Sequence, residues 1–270
     1  MSTRATRTIA VNVFRESVRD KVLYNLVFFA VMLIAVSYLL SQLTAGQDVK
    51  VIKDLGLAAM SLFGLFIAVF IGIGLVSKEV EKRSIYALLA KPIRREEFVV
   101  GKYCGLVLTL LVNLAIMTIA YYAVLAAVAW LDGAWFRPHW EAPAVDPALL
   151  KAIAMIFLQL AIVVAIALFF STFSSPMLAA ALTFGLYVVG HFNADLKNFD
   201  RVIASKPVAY LARALYYVLP NLAPLDVKND VVHAVFVPAT YLLLNAAYSV
   251  VYIAIVVSSA AFIFARRDFK

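Results

Sequence analysis

The sequence predicts an all-α integral membrane protein with six transmembrane helices. Of its 270 residues, 64% are hydrophobic and 15% are charged, whereas soluble domains contain roughly half and a quarter. The hydrophobic residues form six runs, most of them long enough to cross about 30 Å of hydrocarbon. The predicted spans are residues 22–43, 55–76, 103–130, 149–170, 177–192 and 239–265. Because no polar stretch is long enough to form a soluble core, residues 1–270 are predicted to form one membrane domain.

Before the first span, residues 5–21 are predicted to form an elbow helix that lies in the membrane surface. Apolar and polar side chains fall on opposite arcs of this helix, which suits contact with lipids on one side and headgroups on the other. The apolar members are Ile9, Ala10, Val13, Phe14 and Val18, and the polar members are Asn12, Arg15, Glu16 and Arg19. The alternative is a charged stem that merely precedes the span. No cleavage-site pattern follows, so we expect the first span to be retained.

The second span carries a ridge of small residues, Gly64, Ala68 and Gly72. Such ridges let helix backbones approach closely, so this face is predicted to pack on another span, within the subunit or across a dimer. Nearby, Phe63 and Phe66 are candidates for lining a substrate path, although aromatic packing explains them equally well. The fifth span is the shortest, which indicates that one of its ends lies in protein or in a cavity.

Three polar residues, Asn113, Gln159 and Asn245, fall inside predicted spans. Polar side chains at this depth usually form hydrogen bonds between helices, and contact with a transported substrate is the alternative.

The segment 193–238 is the longest one outside the spans, and it contains a predicted amphipathic helix. Ser205 can cap this helix, Pro207 fits its first turn and Pro220 ends it. Its apolar stripe consists of Val208, Leu211, Leu215 and Leu219. Since the stripe is too short to cross a membrane, we expect an interfacial or re-entrant helix that forms an outer gate or a docking surface.

Between the second and third spans, residues 78–102 form a charged loop. A short amphipathic helix is predicted after Glu79, because Ile85, Leu88 and Leu89 recur at helical spacing. Pro92 ends this helix, and a second helix can restart with Glu96 and Glu97 in its first turn. We predict a coupling surface for another protein; the alternative is that the charges only fix topology. The predicted coupling residues are Glu79, Glu81, Lys82, Arg83, Ser84, Ile85, Tyr86, Leu89, Pro92, Arg94 and Arg95.

These residues also carry a resemblance to a known family. The loop is similar to that of type-two ABC exporter permeases, in particular the group associated with multicopper enzyme maturation. The matching residues are Glu79, Glu81, Lys82, Arg83, Ser84, Ile85, Leu89, Lys91, Pro92, Arg94 or Arg95, Phe98, Gly101, Lys102 and Gly105, with weaker support from Leu219, Pro220, Asn221, Asp226 and Lys228. Ser84 stands where the family more often has Thr. The resemblance implies a bacterial or archaeal inner-membrane subunit whose coupling helix docks on a separate ATPase.

The charge distribution predicts the orientation of the chain. Five Lys or Arg residues precede the first span, seven lie in residues 78–102 and three follow the last span. These segments fall on the same side of the membrane and carry 15 basic residues, whereas the segments on the other side carry nine. The positive-inside rule therefore places both termini and the charged loop in the cytoplasm. A basic soluble face for nucleic acid is absent from the sequence, so nucleic-acid binding is not expected.

The chain carries no recognisable catalytic motif. Phosphate-binding loops, metalloprotease helices and serine elbows are missing, so ATP hydrolysis is expected in a partner rather than here. The spans contain few ionisable groups, which argues against a proton- or sodium-driven carrier. Cys104 is the only cysteine, and His139, His191 and His233 are interpreted as interface residues rather than metal ligands.

These expectations combine into one functional hypothesis and one alternative. We predict a permease subunit that pairs with a second copy of itself and with two ATPase subunits, which hold the ATP and Mg²⁺. The alternative is a complex that transmits force to an accessory protein on the outer face without moving a solute. A membrane enzyme is disfavoured because the catalytic residues are missing.

Overall fold

A computed structural model describes residues 3–41, 48–81, 95–131, 145–192, 216 and 218–266. Within these ranges all regular elements are helical, as the sequence predicts. The helices are α1 (Thr3–Val18), α2 (Lys21–Ser41), α3 (Asp48–Glu81), α4 (Arg95–Leu131), α5 (Leu149–Ser171), α6 (Pro176–His191), α7 (Lys228–Val232) and α8 (Ala239–Arg266), with a 3₁₀ turn at Ala223–Leu225.

A helix occupies each of the six predicted spans. Helices α2, α3, α4, α5 and α8 are long and apolar enough to cross a membrane, judged by length and composition. The remaining apolar helix, α6, has only 16 residues, and this matches the short fifth span expected from the sequence. The integral membrane fold class is therefore confirmed, and the number of crossings stays a prediction.

Helices α3 and α4 extend further than their predicted spans. Helix α3 begins at Asp48 and continues to Glu81, and α4 begins at Arg95. Glu and Lys are good helix formers and neither Gly nor Pro follows Gly74 before Glu81, so nothing in the chain stops α3 at the end of its apolar segment. Residues 82–94, the part of the predicted coupling loop that joins α3 to α4, lie outside the described residues and are referred to as loop 82–94.

A short break separates α1 from α2. The backbone N–H of Asp20 donates to the carbonyl of Ser17 over 3.0 Å, which closes the end of α1. The Asp20 carboxylate then accepts the N–H of Val22 at 3.0 Å, as an N-cap residue does. Asp20 thus fixes the direction in which the first span leaves the elbow helix.

The core of the bundle lies around α5. Almost every residue of α5 between Ala152 and Leu168 is buried, and α3 packs along it. A Cβ atom added at Gly64 would overlap the side chain of Leu160, and one at Gly72 would lie 2.6 Å from Cβ of Ala167. The small-residue ridge of α3 therefore packs on α5 within the subunit.

The two ends of the bundle differ in their elements. At one end α3 stops, α4 starts, and both α1 and the last turns of α8 are present; we call this the basic end. At the opposite end lie the C-terminal end of α6, helix α7 and the start of α8. Loop 82–94 connects α3 and α4 at the basic end.

Candidate functional site

The first three turns of α4 form the surface against which the elbow helix packs. A Cβ atom at Gly101 would lie 2.9 Å from Cβ of Ile9, and one at Gly105 would lie 2.6 Å from the carbonyl oxygen of Ala10 and 2.7 Å from Cβ of Val13. Two glycines four residues apart thus form a notch that admits the backbone of α1. Ile9 and Val13 are buried there, so part of the arc expected to face lipid contacts protein instead.

The same segment of α4 also contacts the end of α8. The rings of Phe98 and Phe264 stack with their centroids 5.6 Å apart. The ammonium group of Lys102 lies 4.7 Å from the centroid of Phe98, a distance typical of a cation–π contact. Lys102 and Glu97 are both buried, at 1% and 4% exposure, and both have interaction partners. The start of α4 is therefore held between α1 and α8.

This arrangement can transmit a displacement across the bundle. Helix α4 runs without interruption for 37 residues, about 55 Å at the rise of an α-helix, and α3 runs for 34 residues on the other side of the loop. Both helices are anchored by packing along their length. The helices on both sides of loop 82–94 are therefore long elements packed into the bundle.

Few of the predicted coupling residues fall within the described ranges. Glu79 and Glu81 lie in the last turn of α3, and Arg95 is the first residue of α4. Glu96 and Glu97 occupy the first turn of α4, as the sequence predicts. Outside the described residues are Lys82, Arg83, Ser84, Ile85, Tyr86, Leu89, Pro92 and Arg94.

Sequence reasoning assigned no role to Gly101 and Gly105, although both carry part of the family resemblance. Their four-residue spacing is the signal that could have identified a helix notch. The signal is easily overlooked because small-residue motifs are usually sought in apolar runs. Here the charged residue Lys102 stands between the two glycines.

The aromatic candidates for a substrate path take part in helix packing. Phe66 contacts the ring of Phe184 on α6 edge-on, with centroids 5.7 Å apart, and Phe63 packs against the buried core. Tyr121 of α4 is fully buried, and its hydroxyl donates to the backbone carbonyl of Lys53 at 3.2 Å. These contacts join α3 to α4 and α6.

At the opposite end, Gln159 and His191 form a hydrogen bond between α5 and α6. His191 Nδ1 lies 2.8 Å from the carbonyl oxygen of Tyr187, which can only accept, so Nδ1 carries the proton. In this tautomer Nε2 accepts from the Gln159 amide nitrogen at 2.7 Å. Both ring nitrogens therefore take part in hydrogen bonds within the bundle.

Two of the three polar residues in the spans form a hydrogen bond within their own helix, whereas such side chains usually bond between helices. The Asn113 amide donates to the carbonyl of Thr109 at 2.7 Å, and the Asn245 amide donates to the carbonyl of Tyr241 at 2.9 Å. Each bond stays within one helix, four residues back, so the side chain is satisfied without a neighbour. Only Gln159 links two helices.

The last part of the outer segment, 218–238, packs into the opposite end of the bundle. Leu222, Leu225 and Val231 are almost fully buried, and the N–H of Leu222 donates to the carbonyl of Gly190 at 2.9 Å. Leu219 is half-buried. The other predicted gate residues, Val208, Leu211 and Leu215, lie outside the described residues.

An open pocket of about 540 Å³ lies beside this segment. Lys228 crosses its edge, donating to the hydroxyl of Ser61 at 3.1 Å and pairing with Asp226 at 3.4 Å. Among the described residues no group of three or more His, Cys, Asp or Glu side chains is arranged to hold a metal. The pocket is lined by Asp54, Ala58, His191, Ala223, Asp226, Lys228 and Asn229.

Comparison with known protein families identifies a match over nearly the whole chain. The family model described as "ABC-2 family transporter protein" matches residues 7–269, which include most of α1 and all of α2 to α8. A search of curated proteins gave no match.

Proposed function

Because the chain belongs to the ABC-2 family of transporter proteins and is the membrane subunit of an ABC transporter, we propose that it exports or extracts a substrate across the inner membrane. In this proposal two copies of the chain form the permease. Two copies of the partner ATPase supply the energy, and ATP and Mg²⁺ are bound there rather than in this chain. An accessory protein on the outer face and the grouping with multicopper enzyme maturation remain predictions.

The observation that carries the proposal is the pair of continuous helices on either side of loop 82–94. Helix α3 ends at Glu81 and α4 starts at Arg95, so a partner bound to the loop acts on both. The contacts of Gly101 and Gly105 with α1, and of Phe98 with Phe264, would spread that movement to the elbow helix and to α8. Such coupling between a distant ATPase and the bundle requires rigid, packed elements.

The proposal places the basic end in the cytoplasm. The 15 Lys and Arg residues of the termini and residues 78–102, against nine elsewhere, support this orientation through the positive-inside rule. The ATPase would then reach the loop from the compartment that supplies ATP. The pocket beside Lys228 would face the other side.

Loop substitutions test the coupling directly. We expect Arg83→Ala or Glu81→Ala to weaken ATPase association or substrate-stimulated hydrolysis, because removing one partner of a buried interface charge pair typically costs about 2–5 kcal/mol. Lys50→Ala removes a charge near the start of α3, at the opposite end, and should change neither quantity. Membrane insertion of all three variants is the control for folding.

The outcomes separate three possibilities. Normal insertion with lost coupling supports docking at the loop, whereas undiminished binding and turnover in both loop variants would contradict it. Transport is tested by asking whether a lipid, peptide or sulfur compound stimulates hydrolysis by the purified complex. If coupling is intact and no solute stimulates ATP hydrolysis, but a protein on the outer face does, the result would favour force transmission.

A further inference from the structure

A second cavity, of about 410 Å³, lies where α1 turns into α2, and α3 closes one side of it. We call it the elbow pocket. Its polar wall consists of Glu16, Ser17, Arg19, Asp20 and Lys21. Its apolar wall comes from α2 and α3, chiefly Leu26, Phe70 and Ile71. One side of the pocket therefore suits a polar group and the other suits hydrocarbon.

The predicted spans next to the elbow pocket put it at the expected depth of lipid headgroups. Lys21 immediately precedes the predicted first span, Gly74 lies two residues before the end of the predicted second span, and both residues line the pocket. Two neighbouring spans thus pass from hydrocarbon to polar surroundings at this level. A molecule bound here would have its polar part beside Ser17 and its apolar part beside Phe70.

Ser17 gives independent evidence for a ligand. Its side chain is only 5% exposed, and its hydroxyl oxygen is buried without a hydrogen-bond partner among the described residues. Buried polar groups are nearly always satisfied, because leaving one unpaired costs stability. Once the Ser17 side chain turns toward the pocket, a phosphate oxygen there would accept the proton of this hydroxyl.

The charges around the pocket distinguish between headgroups. Arg19 and Lys21 attract a phosphate, whereas Glu16 and Asp20 repel a headgroup that is only anionic. A zwitterion with a phosphate and an ammonium group complements both pairs. The ammonium of ethanolamine has N–H donors for carboxylates, which the trimethylammonium of choline does not have. We propose that the elbow pocket binds the phosphoethanolamine headgroup of one phospholipid.

The acyl chains have room on the apolar side. A volume of about 410 Å³ falls within the range of small-molecule sites, roughly 300–1,000 Å³. A Cβ atom at Gly74 would meet nothing within 4 Å, and Val22 and Phe70 are both about half exposed, at 52% and 53%. The chains therefore leave the pocket along the outer surfaces of α2 and α3.

Lipid retention by the full-length protein tests the proposal. The protein is extracted in detergent, supplied with equal amounts of phosphatidylethanolamine, phosphatidylglycerol and phosphatidylcholine, and analysed by native mass spectrometry. We expect one phosphatidylethanolamine per chain to be retained in preference to the other two. Ser17→Ala should weaken its binding about tenfold, the usual effect of losing a hydrogen bond to a charged group.

Two leucine substitutions form a matched pair. Gly74→Leu places a side chain in the open space of the pocket and should abolish the preferential retention. Gly185→Leu on α6 also meets nothing within 4 Å, and it should retain the lipid as the unmodified protein does. Thermal unfolding of both variants shows that folding is preserved.

The proposal fails if Gly74→Leu and Gly185→Leu retain the same amount of phosphatidylethanolamine. It also fails if phosphatidylglycerol or phosphatidylcholine is retained equally well, since the charge argument would then be wrong. Glycerophosphoethanolamine, which lacks acyl chains, should not displace the lipid at equal concentration. Displacement by this compound would assign the pocket to a free soluble ligand instead.

Discussion

The notch in α4 makes a quantitative prediction about the elbow helix. The substitution Gly105→Ala places a methyl group 2.6 Å from the carbonyl oxygen of Ala10 and 2.7 Å from Cβ of Val13, where ordinary contacts begin at 3.4 Å. The first of these atoms belongs to the backbone of α1 and cannot rotate away. Helix α1 must therefore shift outward or detach from α4.

The size of the effect follows from the two states of α1. Overpacking a well-packed contact typically costs about 1–3 kcal/mol, which lowers the ratio of docked to detached α1 roughly 5- to 150-fold. Alanine is also a better helix former than glycine by about 1 kcal/mol. That gain acts on α4 whether α1 is docked or not, so it cancels in the docking equilibrium.

Hydrogen–deuterium exchange measures the docking equilibrium. A detached helix of 16 residues is only marginally stable in water, so its amides should lose protection by the same factor of about 5 to 150. Gly185→Ala is the control, because a methyl group there meets nothing within 4 Å. Unchanged protection of residues 3–18 in Gly105→Ala, or an equal loss in Gly185→Ala, would refute the reasoning.

Three further substitutions test contacts elsewhere in the bundle by thermal unfolding in detergent. Gly64→Leu should destabilise the protein by about 1–3 kcal/mol, because its side chain would overlap Leu160; an unchanged midpoint would mean that α3 and α5 do not pack as described. Gln159→Leu leaves Nε2 of His191 without its donor and should cost about 1–3 kcal/mol, whereas a neutral result would show that the bond adds no net stability. Ala234→Gly should stabilise the protein by up to about 1 kcal/mol, since Ala234 has a φ of 57° in the turn that closes α7; destabilisation would contradict the strain at this position.

Sequence reasoning located the helices well where the chain carries its own stop signals. Helix α5 was predicted at 149–170 and is found at Leu149–Ser171, and α6 was predicted at 177–192 and is found at Pro176–His191. Pro176 occupies the first turn of α6, where its fixed φ and missing N–H are tolerated. These signals are local, so they can be identified without tertiary structure.

Other features depend on contacts that periodicity does not contain. The predicted second span ends at Val76, yet α3 continues to Glu81, because a change of polarity does not break helical hydrogen bonds. An amide inside a span, such as that of Asn113, can bond to its own helix or to a neighbour. Sequence alone cannot distinguish these two outcomes, since both satisfy the same donor.

The elbow helix connects the two helices on either side of loop 82–94. It contacts α4 directly through the notch at Gly101 and Gly105, and across the elbow pocket it faces Phe70 and Gly74 of α3. The two connections differ in stiffness, because the notch is a close backbone contact and the pocket is a cavity. A relative displacement of α3 and α4 at loop 82–94 must therefore change the width of the elbow pocket, unless α1 detaches from the notch.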